Sequence, residues 1–211
     1  MRMRKKKNLA ARLEACAPIM IQNPTELHGT WLSERGETEL HLEIGCGKGQ
    51  FTLATAAAAP DVLHVAVEKE QNAMVIAMER ALEQGLSNLL FIDADARHLT
   101  ELFTPGEAQR IYINFPDPWP GDRHAKRRLT SPQFLDLYKQ ILALGGEIHF
   151  KTDNIDLFEY SIKQFPLADF HLQDVTRDLH TPQSLGIMTN YEQKFHELGT
   201  PICRCVARWE G

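Results

Sequence analysis

The sequence predicts a three-layer α/β domain on a mostly parallel sheet, finished by an antiparallel C-terminal strand. Three observations carry this. Seven short strand-like runs recur, namely HLEIG, HVAVE, LLFID, RIYINF, EIHFK, HLQDVT and CRCVARW. Helix-like segments separate several of them, the alternation that builds parallel sheets. The last two runs have only the TPQSLGIMTNYEQKFHELG region between them, which favours an antiparallel end.

The elements can be justified in turn. HLEIG runs directly into Gly45, Gly47 and Gly49, a turn rich enough in glycine to let a ligand approach the backbone. HVAVE ends in Glu68, about twenty residues further on, where a carboxylate can grip ribose hydroxyls. In QNAMVIAMERALEQG, Met74, Ala77, Met78, Ala81 and Leu82 repeat at helical spacing and Gly85 offers a stop. LLFID leads to Asp95, which reads either as an acceptor for an adenine amino group or as a loop or helix cap. SPQFLDLYKQILALGG predicts a helix with Ser131 as cap, Pro132 in its first turn and glycines at its end. Cys203 and Cys205 fall on one face of the last strand, as small core residues.

Composition bounds the function. Hydrophobic residues make up 43% and charged residues 24%, as in soluble globular proteins. The apolar run around LATAAAAP is far short of a membrane span. The opening MRMRKKKNLAARLE is basic with no secretory segment after it, so a cytoplasmic protein is expected. Four cysteines and nine histidines match no disulfide scaffold and no metal site. No repeat or linker divides residues 1–211, so one domain is expected, with a basic arm over about residues 1–12. The net charge of −5 argues against indiscriminate polyanion binding. Its distribution still permits a nucleic-acid partner, because the first twelve residues carry six Lys or Arg and residues 123–128 carry four.

Two features choose the cofactor. The dinucleotide pattern wants glycine where Gln50 stands, and Glu43 sits two residues ahead of the first glycine. An acid there suits S-adenosylmethionine, with its cationic amino-acid end, better than a pyrophosphate. The fourth strand then runs into FPDPWPGDRHAKRRLT. Ligands bind beyond the carboxyl ends of such strands, so Asp117, fixed between two prolines, is the candidate catalytic carboxylate. Trp119 either stacks on a base or covers the core. The knot Arg123, His124, Ala125, Lys126, Arg127 and Arg128 reads as a phosphate-contacting clamp.

Taken together, LEIGCGKG, VEKE, DADA, NFPDPWP with its trailing RH and KRRLT, IHFKTDN and TNYEQKF resemble the tRNA (guanine-N7-)-methyltransferase family nearly end to end. The resemblance implies a Rossmann-like class I methyltransferase fold, S-adenosylmethionine as methyl donor, and N7 of guanine at variable-loop position 46 of tRNA as acceptor. It implies cofactor contacts at Glu43, Gly45, Gly47, Gly49, Glu68, Asp95 and Asp117, with Asp117 at the active centre. Substrate contacts are implied at Asp153, Thr189, Asn190, Tyr191 and Glu192, and RNA contacts at residues 123–128. Relatives are monomeric or dimeric. They usually carry lysine four residues after the active-site aspartate, where this chain has Gly121. On spacing alone, Asp153 and Asn154 also read as a helix cap, and Thr189 with Glu192 as a capping box. The rival readings are a methyltransferase for another nucleic-acid base, a nicotinamide-dependent oxidoreductase, and a non-catalytic RNA-binding module, which would leave the glycine turn and its acids unexplained.

Overall fold

The structure, a computed structural model, describes residues 6–33, 35–179 and 201–211. Seven strands, β1 (Glu39–Ile44), β2 (Val62–Glu68), β3 (Leu89–Asp93), β4 (Ala108–Asn114), β5 (Leu142–Thr152), β6 (Phe170–Thr176) and β7 (Cys203–Trp209), form one sheet in the order β3-β2-β1-β4-β5-β7-β6. The first five are parallel, and β7 inserts antiparallel between β5 and β6. Helices α1 (Leu9–Ala15), α2 (Gln50–Ala58), α3 (Gln71–Glu83), α4 (Leu99–Leu102), α5 (Pro132–Ile141) and α6 (Ile155–Leu167) connect or cover the strands. The expected class and the antiparallel finish are both present.

Two cores lie on opposite faces. One packs Leu40, Leu42, Ile44 and Val65 against Leu135, Tyr138 and Phe158 from α5 and α6. The other packs Ala66, Leu89 and Phe91 against Met74, Ala77 and Met78 of α3, with Leu53 of α2 and the N-terminal Cys16 and Met20. β2 supplies a nearly continuous apolar run in its buried Val62, Leu63, Val65, Ala66 and Val67. β1 alternates instead, with Leu40, Leu42 and Ile44 in the first core and His41 and Glu43 buried on the opposite face. Cys203 and Cys205 are buried core residues, as their spacing suggests. The outer edge of β3 is covered by the chain at Ile19–Ile21, which exchanges backbone hydrogen bonds of 2.9 Å with Phe91. Arg12 reaches Glu79 through two bonds of 2.6 Å, so the last turn of the basic arm is helix docked on α3 rather than free charge.

Helix α3 matches its periodicity except at Leu82, which is 40% exposed and lies outside the buried stripe. Its end is a paired-bond glycine stop. Leu86 N–H reaches Ala81 C=O and Gly85 N–H reaches Leu82 C=O, with Gly85 at φ 66°. The second predicted helix is shorter than its sequence suggests. It stops at Ile141, and Leu142–Gly146 belong to β5. Leu142 pairs with Ala108 and Glu147 with Arg110, so the strand carries a bulge between these pairs. Gly145 takes φ 78° there, and a Cβ on Gly146 would lie 2.8 Å from Ala143 O. The glycines bend a strand instead of stopping a helix. Ser131 stands at the cap position, but its side chain accepts from no helix N–H, and its hydroxyl donates to Lys126 O.

Gly49, predicted as a ligand-facing glycine, is required by packing. At φ 77°, a Cβ on it would sit 2.5 Å from the Cβ of Ala77 in α3. Gly49→Ala is therefore expected to lower stability by about 2–4 kcal/mol, combining overpacking with left-handed strain. Chemical denaturation would register this as a lower midpoint at unchanged slope.

A polar row crosses the same sheet face. His41 meets His64 edge-on at 5.5 Å and Tyr112 at 6.0 Å, and Tyr112 meets His149 at 5.3 Å, with Arg110, Glu39 and Glu147 alongside and Phe51 of α2 above. Burial drives His64 and His149 down to about 4 from the ordinary 6.5. The folded rings stay neutral where the unfolded ones bind protons. Their stabilising effect is complete above pH 6.5 and is lost as pH falls toward 4. By pH 5 each ring should cost about 2 kcal/mol, visible as a falling urea midpoint. His64→Leu should flatten that decline.

Candidate functional site

A cleft of about 780 Å³ opens at the carboxyl ends of β1 to β4. Each strand delivers its last residues to it: Ile44 and Gly45, then Val67 to Lys69, then Ala94 to Arg97, then Asn114 to Asp117 with Trp119. Lys126, Arg127 and Leu129 close one side, and Gln133 and Phe134 of α5 close another. This is where an open parallel sheet holds its ligand.

The three glycines divide their work. Gly45, at φ 80°, lines the cleft, and nothing stands within 4 Å of where its Cβ would be, so a ligand can meet the backbone there. Gly47 and Gly49 are not among the lining residues. Gly47 N–H donates to Glu68 Oε2 at 2.9 Å, while Glu68 Oε1 accepts from Glu70 N–H at 2.8 Å. Glu68 thus ties the end of β2 to the turn and presents its carboxylate in the cleft. Asp95 takes the predicted cap position and also stands in the cleft wall. It caps a short 3-10 turn through Arg97 N–H at 3.0 Å, and it faces the cleft. The Arg97 guanidinium holds its carboxyl below the usual range.

Glu43 does not reach the cleft wall. Its carboxylate is buried, one oxygen accepting from Asn114 Nδ2 at 3.0 Å and the other from the Thr52 hydroxyl. Burial raises its pKa above the ordinary carboxylate value. Both carboxylate oxygens are thus engaged by neighbouring side chains, and Glu43 is not among the lining residues of the cleft. Glu43 instead positions Asn114, which does line the cleft.

Asp117 is exposed at the cleft, between Pro116 and Pro118. The flanking backbone is unusual, with Phe115 at φ 50° and Trp119 at φ 43°. Bulky residues adopt this left-handed region at about 1–2 kcal/mol each. Two contacts hold it. Phe115 N–H donates to Lys151 O at 2.8 Å, and Arg128 donates from Nε to Pro118 O at 3.2 Å and from Nη2 to Trp119 O at 3.2 Å. Arg128 also stacks on Tyr160 at 4.3 Å. It is a brace for the turn, unlike the rest of the basic knot.

Residues 122–127 form a 3-10 turn. Arg123, Lys126 and Arg127 are exposed there, and His124 and Ala125 half-buried. Arg127 lies 4.8 Å over the Trp119 ring. Gly121 precedes the turn at φ 81° and ψ 147°, a conformation essentially confined to glycine. A lysine at this position requires a different local backbone.

Asp153 is exposed just beyond β5 and does not line the cleft, while Asn154 caps α6 by accepting from Leu157 N–H at 2.8 Å. The predicted contacts Thr189, Asn190, Tyr191 and Glu192 lie outside the described residues. Sequence reasoning passed over Asn114, Lys69, Arg97, Gln133 and Phe134, all cleft-lining. Only Asn114 carried a signal, its place one residue before the FPDPWP turn. Among the described residues no group of three or more His, Cys, Asp or Glu could hold a metal ion, and no helix is long and apolar enough to cross a membrane.

The profile of a family described as "Putative methyltransferase" matches residues 37–205. The chain is 43% identical to the tRNA (guanine-N(7)-)-methyltransferase of Listeria monocytogenes serotype 4b (strain F2365), over 100% of this chain and 99% of that one. It is 43% identical to the protein of the same name from Bacillus subtilis (strain 168), over 99% of each. Among solved structures, the 16S rRNA methyltransferase KamB superposes with a TM-score of 0.66 at 18% identity, over 83% of this chain and 90% of its own. A 16S rRNA (adenine(1408)-N(1))-methyltransferase from Catenulisporales acidiphilia, bound to its cosubstrate, superposes at 0.58 and 12% identity over 100% and 95%. These structures share the fold, and the full-length relatives fix the family. The chain belongs to the tRNA (guanine-N(7)-)-methyltransferase family.

Proposed function

We propose that this protein transfers the methyl group of S-adenosylmethionine to N7 of guanine in tRNA, at variable-loop position 46. The observation that carries the proposal is the cleft itself: a glycine open to a ligand, carboxylates at the ends of β2 and β3, and Asp117 on a braced turn at the end of β4. The donor set fits S-adenosylmethionine. Glu68 offers a carboxylate for ribose hydroxyls, Asp95 one for an adenine amine, and Gly45 a bare backbone. When bound, the cofactor supplies a methyl group on a positively charged sulfur.

N7 of guanine carries its own lone pair, so no base has to remove a proton. The protein's task is alignment and charge stabilisation. Asp117 holds the guanine N–H edge and faces the positive charge that the purine gains. Asp153 and Glu192 are further candidates for that edge, and Thr189, Asn190 and Tyr191 for contacts nearby. Gly47, Gly49 and Glu43 shape the cofactor site from behind. Arg123, His124, Ala125, Lys126 and Arg127 face the RNA backbone, with Arg128 bracing the turn. The same reading takes residues 1–211 as one methyltransferase domain with a short basic arm, working in the cytoplasm as a monomer or homodimer.

The test is methyl transfer from labelled S-adenosylmethionine to unmodified tRNA transcripts, with the product nucleoside identified by chromatography. 7-Methylguanosine should form, and should vanish when guanine 46 is replaced. Another modified base would redirect the reading, and no cofactor binding would end it. Asp117→Ala should cut turnover by about 100-fold or more while tRNA affinity changes little. Equal losses in both would remove its positioning role. Lys126→Ala should lower the salt slope of tRNA binding by about one. Arg128→Ala should mainly lower the melting temperature.

A further inference from the structure

Trp119 occupies a place that core packing does not explain. It belongs to neither hydrophobic cluster of the described residues, it is half-exposed, and it lines the cleft two residues from Asp117. Even so, its backbone is held at φ 43°, and Arg128 fastens its carbonyl from both Nε and Nη2, at 3.3 and 3.2 Å. The backbone that carries the ring is thereby fixed at the cleft. The Arg127 guanidinium lies 4.8 Å over its face, and the His124 ring stands 6.2 Å away.

We propose that Trp119 is the stacking platform for the reacting guanine, and that Arg127 occupies in the free enzyme the ring face that the methylated purine takes. This rests on the reaction proposed above. A guanidinium and an N7-methylated guanine are both flat, delocalised cations, and an indole face attracts each through the same quadrupole. Guanine arrives neutral. As the N7 electron pair forms the new N–C bond, the C–S pair leaves with sulfur, and the positive charge passes to the purine without loss of a proton. The ring face therefore holds the transition state more strongly than the ground state, which raises the transfer rate rather than affinity alone. Arg127, exposed and long-armed, leaves the ring for a tRNA phosphate as the base enters.

The experiment compares wild type, Trp119→Phe, Trp119→His and Trp119→Leu. Three quantities are read: single-turnover methyl transfer, S-adenosylmethionine affinity, and relative affinity for 7-methylated over unmethylated tRNA. The Leu variant should transfer roughly 10- to 30-fold more slowly and lose the preference for methylated tRNA, with cofactor affinity unchanged within about twofold. Phe should recover most of the rate. Arg127→Ala should weaken both tRNAs alike and keep the preference. Should Leu fail to bind cofactor, the ranking of Phe above His carries the same comparison. A Leu variant as fast as wild type overturns the inference, as does a Phe variant no faster than His. Absence of 7-methylguanosine from the wild-type reaction would instead overturn the proposed reaction.

Discussion

The buried carboxylate of Glu43 is the constraint from which the rest of the cleft follows. A carboxylate taken from water costs several kcal/mol unless its oxygens are paired. Here they accept from Thr52 at the start of α2 and from Asn114 at the end of β4. One interior group thus locks the first strand, the helix after the glycine turn and the fourth strand to one another. Moving any of the three would strand a polar atom in the interior. The ladder between β1 and β4 sets their register, and the Glu43 carboxylate adds a side-chain tie from it to α2 and to the mouth of the cleft at Asn114.

From Asn114 the constraint passes outward along the chain. The next residue, Phe115, is tied to Lys151 O, and the turn beyond it is closed by Arg128 on the carbonyls of Pro118 and Trp119. Left-handed backbone at two bulky residues is unfavourable, and persists where surrounding bonds over-determine it. Prolines on both sides of Asp117 remove the remaining freedom. Asp117 therefore stands on a turn whose backbone is fixed from both sides.

The basic knot shows that adjacent arginines need not share a job. Arg128 spends its donors on two carbonyls and its face on Tyr160, so it is part of the scaffold. Lys126 and Arg127 line the cleft, and Arg123 is exposed beside His124. The polar row of His41, His64, Tyr112 and His149 lies on the sheet face under α2, outside the cleft lining, and bears on stability in acid.

By itself the sequence determined the kinds of element, their order and most of the acids at the strand ends. Strand alternation, the repeat of Met74, Ala77 and Met78, and the glycine stop at Gly85 are local patterns, and local patterns can be read without knowing what they touch. Asp95, Glu68 and Asp117 were legible for the same reason, because the end of a parallel strand is a place in the chain as well as in the fold. Only the tertiary structure decided that Glu43 turns inward, that Gly49 makes room for Ala77, that Leu142–Gly146 join the sheet instead of the helix, and that Arg128 braces while Arg127 stacks. Each of those depends on which distant segment lies opposite, and no spacing along the chain encodes that.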